Sequence, residues 1–391
     1  MYPTVYLQKE RRPRIMAGHP WIFQSDIGRV AGTPLAGGLV RVQNHAGAFV
    51  GIGYYNPDSQ IVVRLLTRQD EEINPQFFQR RIGEALSLRR KVVDKDTTAY
   101  RLVHSEADYL PGLVVDIYGQ YAVLQVLTLG LEPYTEIIAD CLRDTLGIKG
   151  LVLRNDVSVR RLEGLDLGVS FLGDSFSPHV EVKENGLRFE VDLWSGQKTG
   201  YFLDQRENRA FIRPFVQGMR VLDCFSHTGS FAVHAAHFGA SEVTAVDIAA
   251  TAVEGTLKNA ALNNVPGVSA VVANAFDFLR EQVDARERYG AVLIDPPAFT
   301  KSKASLPAAR RGYKEVNLRG MKLVSPGGYL VTSSCSYHLS REDFLAILNE
   351  AAADAHRQVK VVAIRGQGMD HPLLLAARET SYLKFVVLQI W

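Results

Sequence analysis

Three cysteines in 391 residues are too few for a disulfide framework, and spacings of 83 residues (Cys141 to Cys224) and 111 (Cys224 to Cys335) match no zinc-ligand pattern. No apolar run reaches the roughly eighteen residues a membrane-spanning helix needs. No basic-then-apolar leader stands at the start of the sequence. These absences predict a protein of the reducing cytoplasm, with no metal and no membrane partner. Also missing is the G-x-G-x-x-G turn that lets a backbone approach a pyrophosphate, which argues against a dehydrogenase. Charge is scarce in balance rather than in number. A net of +2 excludes no partner by itself. No internal repeat or low-complexity tract is visible.

What is present is a chain 47% hydrophobic and long enough for two or three domains. Residues 1–71 read as short strands broken by Ala36-Gly37-Gly38 and Tyr55-Asn56-Pro57-Asp58, the pattern of a small β-barrel. Residues 72–185 give a helix (PQFFQRRIGEALSLRRKVV), the strands GLVVDIYGQ and YAVLQVLT, a helix around Cys141 and the strand LVLRN, a central α+β segment. Residues 186–391 alternate strands and helices as a doubly wound α/β domain does, closing with the apolar strand YLKFVVLQI.

The third segment carries the chemistry. In VLDCFSHTGSFAVHAAHFGASEVTAVD (221–247) an apolar strand ends in a polar turn with one glycine, and a second strand ends in Asp247 about twenty residues later. A carboxylate there accepts from a ribose diol, while the turn offers no cradle for a pyrophosphate. The combination points to S-adenosylmethionine. Its contacts are expected at Asp223, Phe225, Ser226, His227, Thr228 and Gly229 in the strand and turn, and at Asp247 and Ile248 after the second strand. A third strand, SAVVAN, ends at Asn274 and Ala275, placed to hold an adenine by a side-chain acceptor and a backbone amide. In the fourth, AVLIDPPAF, Asp295 is followed by Pro296 and Pro297, which cannot continue a ladder and so end the strand at a rigid edge. Ligands in such sheets lie beyond the carboxyl ends of the strands, so these tips are expected to converge.

Next in order, GGYLVTSSCSYH (327–338) sets Cys335 among serines where the strand leaves the sheet. Cys141 falls in a helix and Cys224 in the cofactor turn. Cys335 is therefore the candidate nucleophile. C5 of a pyrimidine is too poor a nucleophile to take a methyl group directly, whereas thiolate attack at C6 makes an enamine whose C5 is electron-rich. Only about three per cent of an ordinary thiol is ionised at pH 7, so a cation or dipole should assist. Asp295 would stabilise charge developing on the base. Amino-group methylation needs no nucleophile.

Basic residues cluster where a nucleic acid would be gripped. Between Thr300 and Lys322, Lys301, Lys303, Arg310, Arg311, Lys314, Arg319 and Lys322 face a single acid, Glu315. Residues 1–70 hold eight basic and four acidic side chains, with Arg11, Arg12 and Arg14 together. Such patches bind phosphates by releasing counterions.

Together LVRV…GAFVGIGYYNPDSQIVVRLLT, SGQKTGYFLDQRENR (195–209), VLDCFSHTGSFAVHAA, LIDPPAF, RGYKEVN (311–317) and SSCSYH closely resemble the PUA-domain S-adenosylmethionine-dependent methyltransferases that make 5-methylcytosine in bacterial 23S ribosomal RNA. The resemblance spans nearly the whole chain. It implies a Rossmann-like methyltransferase domain with an N-terminal PUA-like β-barrel and a central α+β domain. It implies that Gln197, Lys198, Thr199 and Gly200 close over the cofactor, that Asp204 and Arg206 support the same wall, and that the nucleophile stands at Cys335. Relatives usually carry Asp where this chain has Asn274; both side chains offer an acceptor oxygen, so cofactor binding should be equal or weaker rather than lost. Other readings remain: methylation of a guanine or adenine amino group or of uracil C5, and a non-catalytic RNA-binding ribosome-assembly factor. The basic auxiliary segments would serve a homodimer as well as an RNA clamp, and the C5 proton could leave to Asp295, a serine near Cys335 or water.

Overall fold

The structure is a computed structural model, describing residues 2–9, 13–300 and 303–391. It divides into two compact units, one of residues 1–182, 191–203 and 369–380 and the other of 183–190, 204–368 and 381–391.

The first unit holds two sheets. Six strands run in the order Trp21–Phe23, Ile61–Thr67, Phe49–Tyr55, Leu39–Gln43, Thr4–Leu7 and Ile27–Ala31. Only Thr4–Leu7 with Leu39–Gln43 pairs in parallel. Alternation drives burial here: Val40 and Val42 turn inward beside Val5 and Leu7. In the motif GAFVGIGYY a Cβ on Gly53 would lie 2.2 Å from the carbonyl oxygen of Arg64, so only glycine allows the strands to approach at the adjacent bulge.

The second sheet has the order Val169–Phe171, Gly150–Arg154, Tyr121–Val126, Leu113–Tyr118, Ala99–His104. Helices Pro75–Val92 and Thr135–Leu146 lie in its hydrophobic core, through residues such as Phe78, Ile82, Ile138 and Leu142. The first helix starts where Asn74 accepts from the Phe77 amide and Pro75 occupies the first turn. The strand Ala99–His104 is one the sequence reading passes over. Its centre is polar because Arg101 forms a two-pronged ion pair with Asp116, the residue opposite it on the next strand.

The second unit is built on seven strands in the order Val268–Val272, Glu242–Asp247, Arg220–Cys224, Tyr289–Ile294, Val324–Ser334, Lys384–Ile390, Val359–Arg365. The first five are mutually parallel, and Lys384–Ile390 is antiparallel to both its neighbours. Strand order reverses between Arg220–Cys224 and Tyr289–Ile294, which makes that junction the place for a ligand. The edge strand Val359–Arg365 is largely exposed although its sequence, VKVVAIR, is mostly apolar. Behind the sheet, Arg209 pairs through two bonds (2.5 and 2.7 Å) with the fully buried Glu184. Stripping one partner from such a pair costs about 3–5 kcal/mol, so this pair anchors residues 204–211. His234, 3.8 Å from Glu184, is pushed down to about 4 by burial and is neutral at pH 7.

Candidate active site

Four of the five parallel strand ends are level with one another. Cys224 lies opposite Val246 on one side and Ile294 on the other, and Ile294 lies opposite Thr332. Whatever follows each strand therefore opens onto one edge of the sheet.

After Cys224 the chain turns through Phe225, His227 and Gly229, all with positive φ (63°, 49° and 75°), before the helix Ser230–His237 begins. Left-handed conformations at Phe and His are costly and cluster at functional turns. Gly229 is required twice over, since a Cβ there would come within 2.5 Å of Thr256 as well as being strained. Thr228 is bound from the following helix, its carbonyl accepting from Asn259. Asp223, just before the turn, is 1% exposed, and its carboxylate makes no side-chain hydrogen bond, the Ala232 backbone amide being the donor that acts on it. Burial, and after it the charge of Asp295, raises its pKa well above the carboxylate range. The Ser226 hydroxyl is buried and unsatisfied.

Asp247 at the next tip accepts from the backbone amides of His227 (2.8 Å) and Ala249 (3.0 Å), so it ties the turn to its own strand. Each oxygen keeps a second lone pair. Ile248 beside it is 69% exposed, an apolar face at the cleft rim. Asn274 caps the helix Ala275–Asp284, accepting from the Phe276 amide at 2.9 Å.

At the fourth tip, Asp295 is bound by a residue the sequence reading passed over. Gln205 donates to Asp295 (3.0 Å) and to the Ser333 hydroxyl (3.1 Å), bridging the two strand ends. Asn208, one helical turn on, donates to the side-chain Oε1 of Gln205 (2.7 Å) and accepts from Arg365 (2.9 Å). The available signal was position: Gln205 sits between Asp204 and Arg206 in QREN. Asp204 accepts from the Tyr382 hydroxyl at 2.7 Å, and the Arg206 carbonyl accepts from Asn185. Both side chains are buried.

Beyond Ser334 the last strand ends and Cys335 follows. Ser333, Ser334 and Ser336 are buried while Cys335 is half-exposed. The serines pin the tip: the Ser336 amide donates to the Ser334 hydroxyl (3.3 Å) and the Ser336 hydroxyl meets that of Tyr313 (2.8 Å).

A model of PUA-like domains matches residues 5–68, and one of S-adenosylmethionine-dependent methyltransferases matches 169–367. Proteins named ribosomal RNA large subunit methyltransferase I are similar along their full length, among them those of Tolumonas auensis (38% identical, covering 100% of both chains) and Vibrio parahaemolyticus (39%, 98% of both). The chain belongs to the ribosomal RNA large subunit methyltransferase I family. Its fold is also that of a Streptococcus mutans protein assigned to the SAM-dependent methyltransferases (21% identical, TM-score 0.83, 99% of both chains) and of a protein assigned to the methyltransferases and solved with SAH (21%, 0.85, 99% of both).

S-adenosylmethionine is the cofactor of this family, and the strand tips fit it. The sheet edge bearing Asp223, Asp247 and Asp295 is acidic, which suits a cation and opposes a pyrophosphate; burial and the charge of Asp295 favour the protonated form of Asp223 until a cation meets it. The segment Gln197–Gly200, which the family resemblance assigns to the cofactor, belongs to the first unit. Thr199 is buried there, donating to Asp116 (2.6 Å) and meeting the Tyr118 hydroxyl (2.9 Å). Lys198 lies over the Phe202 ring. Among the described residues no group of three or more His, Cys, Asp or Glu side chains is placed to hold a metal, and no helix is long and apolar enough to cross a membrane.

The basic set is more engaged than its sequence suggests. On the helix Leu306–Leu323, Arg310 pairs with Asp343 (3.2 Å) and Glu350 (3.3 Å), and Lys314 with Asp354 (2.9 Å), all from the helix Arg341–Ala355. Arg311 is exposed. Arg14 pairs with Asp26 at 3.0 Å and stacks on Phe23. Arg11, Arg12 and Lys301 lie outside the described residues, and Lys303 opens a short 3-10 turn. Exposed pairs of this kind contribute about 0–1 kcal/mol, so phosphates can compete for these cations.

Proposed function

We propose that this chain methylates C5 of a cytosine in large-subunit (23S) ribosomal RNA in the cytoplasm, with Cys335 as the nucleophile. The observation that carries the reading is the half-exposed Cys335 on a tip whose serines are buried, beside the strand that delivers Asp295. A ribose diol falls to Asp247, an ammonium to Asp223, and an adenine to Asn274, Ala275 and Ile248. Phe225, Ser226, His227, Thr228 and Pro296 complete the wall. When bound, the cofactor supplies an electrophilic methyl group.

The chain's own residues do the rest. The Cys335 sulfur attacks C6 and the electron pair moves toward C5, so the base becomes nucleophilic there. Asp295, held by Gln205, accepts from the exocyclic amine and orients the base against the thiol. After methyl transfer the C5 proton passes to Asp295, a serine near Cys335 or water, its bonding pair re-forms the C5–C6 double bond, and the carbon–sulfur bond breaks, restoring the thiolate. In this reading residues 1–71 and 72–185 are an RNA-binding barrel and an α+β domain that serve the catalytic residues 186–391.

The test is to incubate the protein with isotope-labelled S-adenosylmethionine and unmodified ribosomal RNA, then identify the labelled nucleoside by mass spectrometry. 5-Methylcytidine is expected. A labelled methylguanosine or methyladenosine would reduce Cys335 to a structural residue.

Arg14 and the 301–314 patch are assigned to phosphates. Neutralising Lys301, Lys303, Arg310 and Arg311 together should raise the RNA dissociation constant and flatten its logarithmic salt dependence by up to about 3, each lost contact removing about 0.7. An unchanged slope in a salt titration would put the patch away from RNA.

A further inference from the structure

We propose that Lys384 is a positioning residue that holds Cys335 as a thiolate, the ammonium being clamped around the cysteine by the last rung of the sheet and the carbonyl that follows it. The proposal rests on the reading of Cys335 as nucleophile and adds the cation that a thiol at neutral pH needs.

The strand Lys384–Ile390 begins with this lysine, which stands opposite Ser334, the residue before Cys335. Its Nζ donates to the carbonyl oxygens of Ser336 (2.6 Å), the residue after Cys335, and Tyr382 (2.7 Å). The backbone of Lys384 thus pairs with the residue before the cysteine, and its ammonium is bonded to the residue after it. Lys384 is 6% exposed, and among the described residues no carboxylate forms an ion pair with it. Lysines are almost never buried unless paired, and two carbonyl dipoles do not neutralise a charge. The anion that completes the site is the thiolate. Burial pushes the lysine down to about 8 and the charge of Cys335 acts in the opposite direction, toward keeping the proton on nitrogen. An ammonium has three N–H groups; with two on carbonyls, one remains for sulfur.

The other titratable groups around the cysteine do not replace it. Tyr313, from the helix Leu306–Leu323, is raised by burial and stays neutral at pH 7. Asp295, on the adjacent strand tip, opposes a thiolate. In the chain just beyond, Tyr337 and His338 contact each other's rings. In the ionisation the Cys335 S–H bond breaks, its proton passes to solvent water, the electron pair stays on sulfur, and Lys384 keeps all its protons.

The test follows iodoacetamide alkylation of Cys335 against pH, quantified on its own peptide so that buried Cys141 and Cys224 do not contribute. In the unaltered protein, half-maximal reactivity should fall at least about one pH unit below the 8.5 of a free thiol. Lys384→Met should return it to 8.5 or above, slow alkylation at pH 7 about tenfold, and lower kcat similarly with KM for RNA little changed. Lys384→Arg should restore most of the shift. A normal thiol profile in the unaltered protein overturns the proposal even if Lys384→Met fails to fold. So does a Lys384→Met profile matching the unaltered one. If the methylated product is not 5-methylcytidine, the nucleophile reading fails, while the alkylation profile still reports whether the ion pair exists.

Discussion

Replacing Cys335 with alanine is expected to lower methyl transfer at least about 1,000-fold, a loss of roughly 4 kcal/mol of transition-state stabilisation, while cofactor affinity stays within about twofold. No other cysteine can take over. Cys224 is fully buried, with its thiol raised well above the ordinary range by burial, and Cys141 lies in a helix of the first unit. Folding should be unaffected, because the half-exposed thiol is not among the buried residues of the core, and the tip is held by Ser334, Ser336 and Tyr313. Single-turnover assays with labelled cofactor, beside calorimetry of cofactor binding, separate the two effects. Near-normal turnover by the variant would remove the covalent mechanism, and amino-group methylation would then be the better reading.

Asp247→Ala should weaken cofactor binding by about 1.5–3 kcal/mol, or about 10- to 150-fold in dissociation constant, the range for losing a hydrogen bond to a charged group. The structure adds a second cause. Asp247 also accepts from the amides of His227 and Ala249, so alanine leaves the strained turn without the carboxylate that ties it down. Asp247→Asn separates the causes, since it keeps one oxygen acceptor but no charge. An intermediate loss is expected for Asn, with a normal melting temperature. Unchanged affinity for Asp247→Ala by calorimetry would mean the ribose is held elsewhere.

A hydrophobic run bounded by a turn is legible wherever it occurs, and the runs ending in Cys224, Asp247, Ile294 and Ser334 were read from the sequence for that reason. The strand before Cys335 differs in its bounds: it begins at Val324, three residues earlier than the apolar pattern suggests, and stops at Ser334, leaving the cysteine just outside the ladder. Strand Ala99–His104 is polar at its centre and so shows no apolar run, whereas Val359–Arg365 is an apolar, β-branched run, VKVVAIR, that the sequence reading passes over and the structure places at an exposed edge.

The doubly wound domain, the absence of a pyrophosphate turn, and the acidic and thiol groups at the strand ends are legible in the residues alone, because in a parallel sheet the residue after each strand is delivered to the same edge whatever the details of packing. The sequence could not disclose partners. Gln205 meets Asp295 and Ser333 across 90 and 128 residues of chain, Arg310 and Lys314 find their carboxylates on a different helix, and Lys384 reaches Ser336 over 48 residues. Local patterning fixes which element forms and which face is buried. Which side chains then meet is set by strand order, register and helix packing, and those exist only once the chain has folded.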